Sequence, residues 1–177
     1  MRVIAAENGA EAVALVGRER PDLLVIDAMM PVLDGFAAVP QLRGAEATAS
    51  MPIVMLTGQS TLEERLTALR AGVAEFVMKP FGTRIFVARV ERQLRWRSIP
   101  LAGIEPAAGD VSRPRTAGSA LETALAAAER YDNEGNGIAA AAAYAEAAAC
   151  AAACGESTAA ATLRRIGDII SRDLRTA

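Results

Sequence analysis

The sequence contains no histidine. That excludes a phosphohistidine carrier and removes imidazole from any acid–base or metal chemistry of this chain. Cysteine is nearly absent as well: Cys150 and Cys154 are the only two, too few for a disulfide framework. They stand four residues apart in an alanine-rich helical pattern, so they share a helix face and read as small buried apolar residues. A metal site needs more ligands than these two. No apolar run approaches the ~18 uninterrupted residues of a membrane span, the alanine tracts are too weakly apolar to insert, and no secretory leader is apparent. The chain therefore reads as cytoplasmic, with no membrane partner. Neither charge is in excess. A net charge of −2 and a pI of about 5.3 give no electrostatic ground for a nucleic acid partner.

What is present is a chain of 177 residues, 52% hydrophobic, long enough for one domain with a core and a small appendage. Alanine supplies much of that apolar fraction and adds little core volume. The informative pattern is three short apolar runs, each closed by a polar residue: Leu23–Ile26 by Asp27, Ile53–Leu56 by Thr57, and Phe76–Met78 by Lys79. Continuous apolar runs suit strands covered on both faces, and strands alternating with helical patterns argue for an α/β parallel sheet. The carboxyl ends of such strands line one edge, where ligands bind. An aspartate, a hydroxyl and an ammonium would converge there, a combination suited to a carboxylate that accepts a phosphoryl group.

The connecting segments carry helix signals. Val3–Ala6 reads as a further short strand, and Asn8 as the cap of a helix from Gly9 to about Gly17, stopped by Pro21. Phe36 to Leu42 is a short helix kinked by Pro40. Thr61 and Glu64 form a capping box for a helix bearing Leu62, Leu66 and Leu69 that ends near Gly72. Thr83 caps a last helix bearing Ile85, Phe86, Val90 and Leu94.

The stretch from Asp27 through Met29, Met30 and Pro31 to Asp34 and Gly35, followed by Thr57 and then by Lys79-Pro80-Phe81, resembles the receiver domain of two-component response regulators over roughly residues 1–97. The resemblance implies a flavodoxin-like α/β fold with strand order 2-1-3-4-5. It implies Asp27 as phosphoacceptor, Thr57 and Lys79 as ligands of the phosphoryl oxygens, and Met29 as the donor of a backbone carbonyl to Mg²⁺. Phe76 would be a switch aromatic that turns inward as the Thr57 hydroxyl moves, and the peptide before Pro80 would be cis. Each residue alone has a plainer reading: a turn cap, a helix entry, a solvated strand-end charge, a core aromatic. Their joint occurrence argues against that.

One family element has no counterpart. The first strand, with its adjacent acidic pair for Mg²⁺, does not precede Val3, and neither Asp22 nor Asp34 stands at the matching place. Mg²⁺ wants about six oxygens, so metal affinity and phosphoryl transfer are expected to be weak or absent. Three accounts stay open: an upstream start, a fragment of a longer regulator, or a degenerate receiver that works as a pairing surface.

Residues 98–118, with Pro100, Pro106, Pro114 and several glycines, read as a linker. Residues 119–177 read as an alanine-rich extension of three helices, about 119–132, 138–153 and 157–174. The third bears an apolar stripe of Leu163, Ile166, Ile169, Ile170 and Leu174, with Arg164, Arg165, Arg172 and Arg175 on a solvated face. Gly135, Ala140, Tyr144 and Ala147 match half of one tetratricopeptide repeat, a single copy where about three are needed.

The expected function is a phosphorelay receiver rather than an enzyme, with at most weak self-catalysed phosphotransfer. Its partners would be a histidine kinase or phosphotransfer protein, and a second copy or another signalling protein through the helices. The alternative is a phosphate-independent interaction scaffold.

Overall fold

Three parallel strands carry the candidate site: β1 (Leu24–Asp27), β2 (Ile53–Thr57) and β3 (Glu75–Met78), in the order β1-β2-β3. The register pairs Asp27 with Leu56 and Thr57 with Met78, so the three strands end side by side. The structure, a computed structural model, describes residues 2–58, 61–95 and 115–176. Ile53, Val54, Met55 and Val77 are fully buried, as strands covered on both faces require.

The helices follow their caps. α1 (Gly9–Glu19) starts where the Asn8 side chain accepts from the Glu11 N–H at 2.9 Å, and it ends at Arg20 in the left-handed region. It runs two residues beyond the expected Gly17. α2 (Gly35–Arg43) is capped by Asp34 and contains Pro40. α3 (Leu62–Arg70) has the full capping box: the Glu64 N–H donates to Thr61 Oγ1 and the Thr61 N–H to Glu64 Oε2. α4 (Thr83–Arg95) begins one residue earlier than a Thr83 cap implies, with Thr83 inside its first turn.

Residues 2–6 depart from expectation. They form no strand, and Val3 and Ile4 are exposed. A strand needs a neighbour for its backbone groups. Among the described residues β1 pairs only with β2, so no strand stands where Val3–Ala6 would pair.

α5 (Arg115–Asn133), α6 (Gly137–Ala153) and α7 (Ser157–Thr176) form the helical part. Gly135 (φ 75°) and Gly155 (φ 78°) turn the chain between them in the left-handed region that favours glycine. The first four residues of α5 fall inside the stretch read as a linker; residues 98–114 of that stretch lie outside the described residues. The alanines of α6 let its neighbours approach closely: a Cβ on Gly167 of α7 would meet the Ala141 carbonyl oxygen at 3.2 Å. Leu163, Ile166, Ile169 and Ile170 are buried as the stripe predicts, whereas Leu174 is exposed. Arg165 is half-buried rather than solvated, and burial lowers its pKa. Cys150 and Cys154 are free and half-buried. Among the described residues, no helix is long and apolar enough to cross a membrane.

The helices are not a detached appendage. Their core joins that of the sheet in one cluster, from Val16 and Ile53 through Leu66 and Phe76 to Leu125, Leu163 and Ile170. α7 reaches α3 directly, where the buried Thr162 hydroxyl donates to the Leu69 carbonyl oxygen at 3.0 Å. α4 shows what this docking changes. Its buried residues are Arg89, Arg92 and Gln93, while Ile85, Phe86, Val90 and Leu94 are only half-buried. The expected apolar stripe is not its most buried face, because α5 offers that helix acids rather than hydrocarbon.

Candidate functional site

Asp27 closes β1, and the loop after it holds the carboxylate in place. Asp27 Oδ1 accepts from the Met29 N–H at 3.1 Å, and Oδ2 is paired with Lys79 Nζ. The loop then folds back: the Gly35 N–H donates to the Ala28 carbonyl oxygen at 3.0 Å. A Cβ at position 35 would stand 2.4 Å from the Asp27 carbonyl oxygen, so the close return requires glycine. Asp34, one residue earlier, is occupied as the α2 cap, accepting from the Ala37 N–H at 2.8 Å. Its carboxylate thus serves as the helix cap.

Lys79 reaches Asp27 because β3 ends beside β2. The Lys79 N–H donates to the Thr57 carbonyl oxygen at 2.7 Å, and the Ala28 N–H to the Leu56 carbonyl oxygen at 2.7 Å. The following Lys79–Pro80 peptide is cis. The Asp27 and Lys79 side chains are both partly open to solvent. Thr57 differs: it is 1% exposed, and among the described residues its hydroxyl has no hydrogen-bond partner. A buried hydroxyl left unpaired costs on the order of 1–3 kcal/mol, and such an orphan in a native site asks for an explanation. Phe76 lies two residues before Met78 on β3 and is buried, so its ring points into the core. Asp27, Thr57 and Lys79 thus meet at one edge, with Phe76 behind them.

The Met29 side chain is exposed. Besides that residue's carbonyl, the edge offers a metal, among the described residues, only the Asp27 carboxylate, whose two oxygens are already engaged by Met29 and Lys79. Among the described residues no cluster of three or more carboxylates or thiols is placed to hold a metal ion. These donors do not make up the oxygen shell Mg²⁺ requires.

A second constellation, unseen in the sequence, lies behind the site. Arg65 of α3 donates to Glu129 of α5 at 2.9 Å. Arg92 of α4 is paired with Glu75 of β3 and forks onto Asp132 of α5 at 3.1 and 3.0 Å. Arg89 donates to the Phe76 carbonyl oxygen at 2.6 Å and stands 2.9 Å from Asp132. Gln93 donates to Glu75 at 2.7 Å. Three arginines thus face three acids, nearly all of it buried. Burial pushes the carboxyl of Glu75 up, and likewise that of Glu129, against the pull of the arginines. Burial would do the same to Asp132, but the Arg92 guanidinium brings its pKa below the usual value. Burial would weaken the Arg92 cation, yet Glu75 and Asp132 hold it firmly protonated. Tyr144 of α6 is buried beside them and its hydroxyl is pushed well up, by burial and then by the charge of Asp132. The one sequence signal was the 3–4 spacing of Arg89, Arg92 and Gln93, which marks one helix face.

Asp27, Thr57 and Lys79 close the three strands of this parallel sheet, and comparison with known proteins identifies the family of the fold. The family model for the response regulator receiver domain matches residues 1–91, and the chain belongs to that family. It is 40% identical over 93 residues to a "Probable transcriptional regulator ycf27" of Porphyridium aerugineum, covering 52% of this chain and 38% of that protein. It is 41% identical over 90 residues to "Response regulator MprA" of Mycobacterium leprae (strain TN), covering 51% and 39%. The chain therefore spans under two-fifths of the length of these curated relatives. Similar solved structures include the BeF3-activated N-terminal receiver domain of Klebsiella pneumoniae RstA, at 30% identity, 54% and 79% coverage and a TM-score of 0.48. The chemotaxis response regulator CheY4 of Vibrio cholerae matches at 30% identity, 51% and 76% coverage and a TM-score of 0.48. The chain is a response regulator receiver domain of two-component signalling with a helical C-terminal segment.

Proposed function

We propose that Asp27 accepts a phosphoryl group from a phosphohistidine of a histidine kinase or phosphotransfer protein. A carboxylate oxygen attacks phosphorus, the new O–P bond forms as the P–N bond breaks, and the leaving imidazole keeps the bond's electron pair and takes up a proton. The chemistry asks mainly for positioning and neutralisation of charge. Lys79 is already at the carboxylate and would shift to a phosphoryl oxygen. The observation that carries the reading is the Thr57 hydroxyl, buried at the same edge without a partner and free to donate to a second phosphoryl oxygen. Because the donor set does not suit Mg²⁺, uptake by this chain is slow, and the protein is a phosphoacceptor rather than an enzyme. The signal leaves through protein–protein contacts, and the cytoplasm is the compartment this role implies.

The test is to incubate the chain with a small phosphodonor such as phosphoramidate and weigh it by intact mass. One added phosphoryl group is expected in the wild type and none in Asp27→Asn. Equal uptake by both proteins contradicts the assignment. A second reading, a phosphate-independent scaffold, is favoured by the single-carboxylate donor set; identical partner affinity in wild type and Asp27→Ala would select it. Relatives bear the name of transcriptional regulators, so the charge-based expectation against DNA is limited to the span of this chain. Tight, salt-sensitive DNA binding by these residues would overturn it.

A further inference from the structure

At the joint between α5 and α3, a buried ion pair leaves half of its polar atoms unused. Arg65 and Glu129 meet through Nη1 and Oε2 at 2.9 Å, and both side chains are more than nine-tenths buried. Among the described residues, Arg65 Nε and Glu129 Oε1 have no hydrogen-bond partner. The same is true of Oδ1 of Asn133, one helical turn further along α5. Orphaned polar atoms of this kind ask for an explanation.

The three residues line one cavity of about 580 Å³, bounded on the strand side by Gly58 and Met78. A single water needs only about 10–15 Å³ of such space, whereas small-molecule sites span about 300–1,000 Å³. Met78 and Ala126 supply apolar wall, and Arg65 and Arg130 are matched by Glu129 and Glu134. The lining therefore carries no net charge, which suits a neutral ligand better than a phosphate or a free cation. The orphaned atoms set the pattern that ligand must meet. Arg65 Nε calls for an acceptor, and Glu129 Oε1 and Asn133 Oδ1 each call for a donor. Glu129 stands in the middle, paired to Arg65 on one side and a turn from Asn133 on the other. The complementary edge therefore reads acceptor, donor, donor. Guanine presents that edge, with O6 as acceptor and N1–H and the 2-amino group as donors. The corresponding edge of adenine has a single donor group.

We propose that this cavity binds the guanine-type base of an uncharged, nucleoside-sized ligand. Arg65 Nε donates to O6, N1–H donates to Glu129 Oε1, and the 2-amino group donates to Asn133 Oδ1. The site uses neither Asp27 nor Lys79, and it stands whether or not Asp27 takes a phosphoryl group.

The experiment is isothermal titration calorimetry of the full 177-residue chain with guanosine, inosine and adenosine. Saturable one-to-one binding of guanosine is expected. Inosine, which lacks only the 2-amino group, is expected to bind at least tenfold more weakly, and adenosine not at all. A site built to hydrogen-bond a group rejects the analogue without it, because its own polar atom is left unpaired. Asn133→Leu removes that atom and is expected to erase the difference between guanosine and inosine. Ala126→Trp, at an exposed position on the cavity wall, is expected to abolish binding with Tm unchanged. No guanosine binding by the wild type overturns the proposal. Equal affinity for guanosine and inosine overturns the base assignment, and undiminished guanosine binding in a folded Ala126→Trp overturns the location.

Discussion

Replacing Asp132 by leucine strips the buried cluster of the acid that faces two arginines. In the native chain Arg65, Arg89 and Arg92 are balanced by Glu75, Glu129 and Asp132; the variant leaves three cations against two acids in a region with almost no solvent. Removing one partner of a buried pair costs about 3–5 kcal/mol. For a chain of this size each kcal/mol is worth roughly 2–4 °C of Tm, so the loss is roughly 6–20 °C. The informative comparison is Arg92→Met with Asp132→Leu. Together they remove one charge of each sign and leave Arg65 with Glu129 and Arg89 with Glu75. Apolar replacement of a whole buried pair is often neutral or stabilising, so the double variant should recover most of the loss. The assay is urea unfolding followed by circular dichroism, with the coupling energy taken from the double-mutant cycle. A coupling near zero, or an Asp132→Leu loss below about 1 kcal/mol, would refute the reasoning that the joint is electrostatically balanced.

Other substitutions separate stability from signalling. Thr57→Val removes a buried hydroxyl that has no partner, so unfolding should show no loss or a gain of about 1 kcal/mol, while phosphoryl uptake by intact mass falls. Val32 is exposed with φ 67°, a conformation costly for a β-branched residue; Val32→Asn should raise stability by about 1 kcal/mol, and a lower Tm would contradict the strain. Glu129 gives a pH test with a definite sign. Its folded pKa is raised by burial from 4.5, so its contribution is complete below that value and is lost as pH rises through the folded pKa. The stability of wild type relative to Glu129→Gln should therefore fall from about pH 4.5 upward; a difference that grows with pH would reverse the assignment.

Much of the site was legible because its residues carry local signatures. Asp27, Thr57 and Lys79 each close an apolar run, and a parallel sheet can only bring such ends to one edge. Asn8 and the Thr61–Glu64 box fixed helix starts through short-range backbone bonds, and Gly135 and Gly155 marked turns that need a left-handed residue. Residues 3–6 misled for the opposite reason. They have strand chemistry, but a strand forms only against a neighbour, and sequence pattern does not say whether one is there.

Tertiary structure alone decided the rest. The alanine-rich helices were recognisable as helices, but nothing in their period told that they would dock on α3, β3 and α4. That docking turned α4 so that Arg89, Arg92 and Gln93 became its buried face. It also placed Glu129 and Asp132, 64 and 40 residues from their arginines in the chain, against Arg65 and Arg92. Local composition sets which backbone conformation each segment prefers. Which charges meet inside the protein is set by packing between distant segments, where desolvation allows only matched partners.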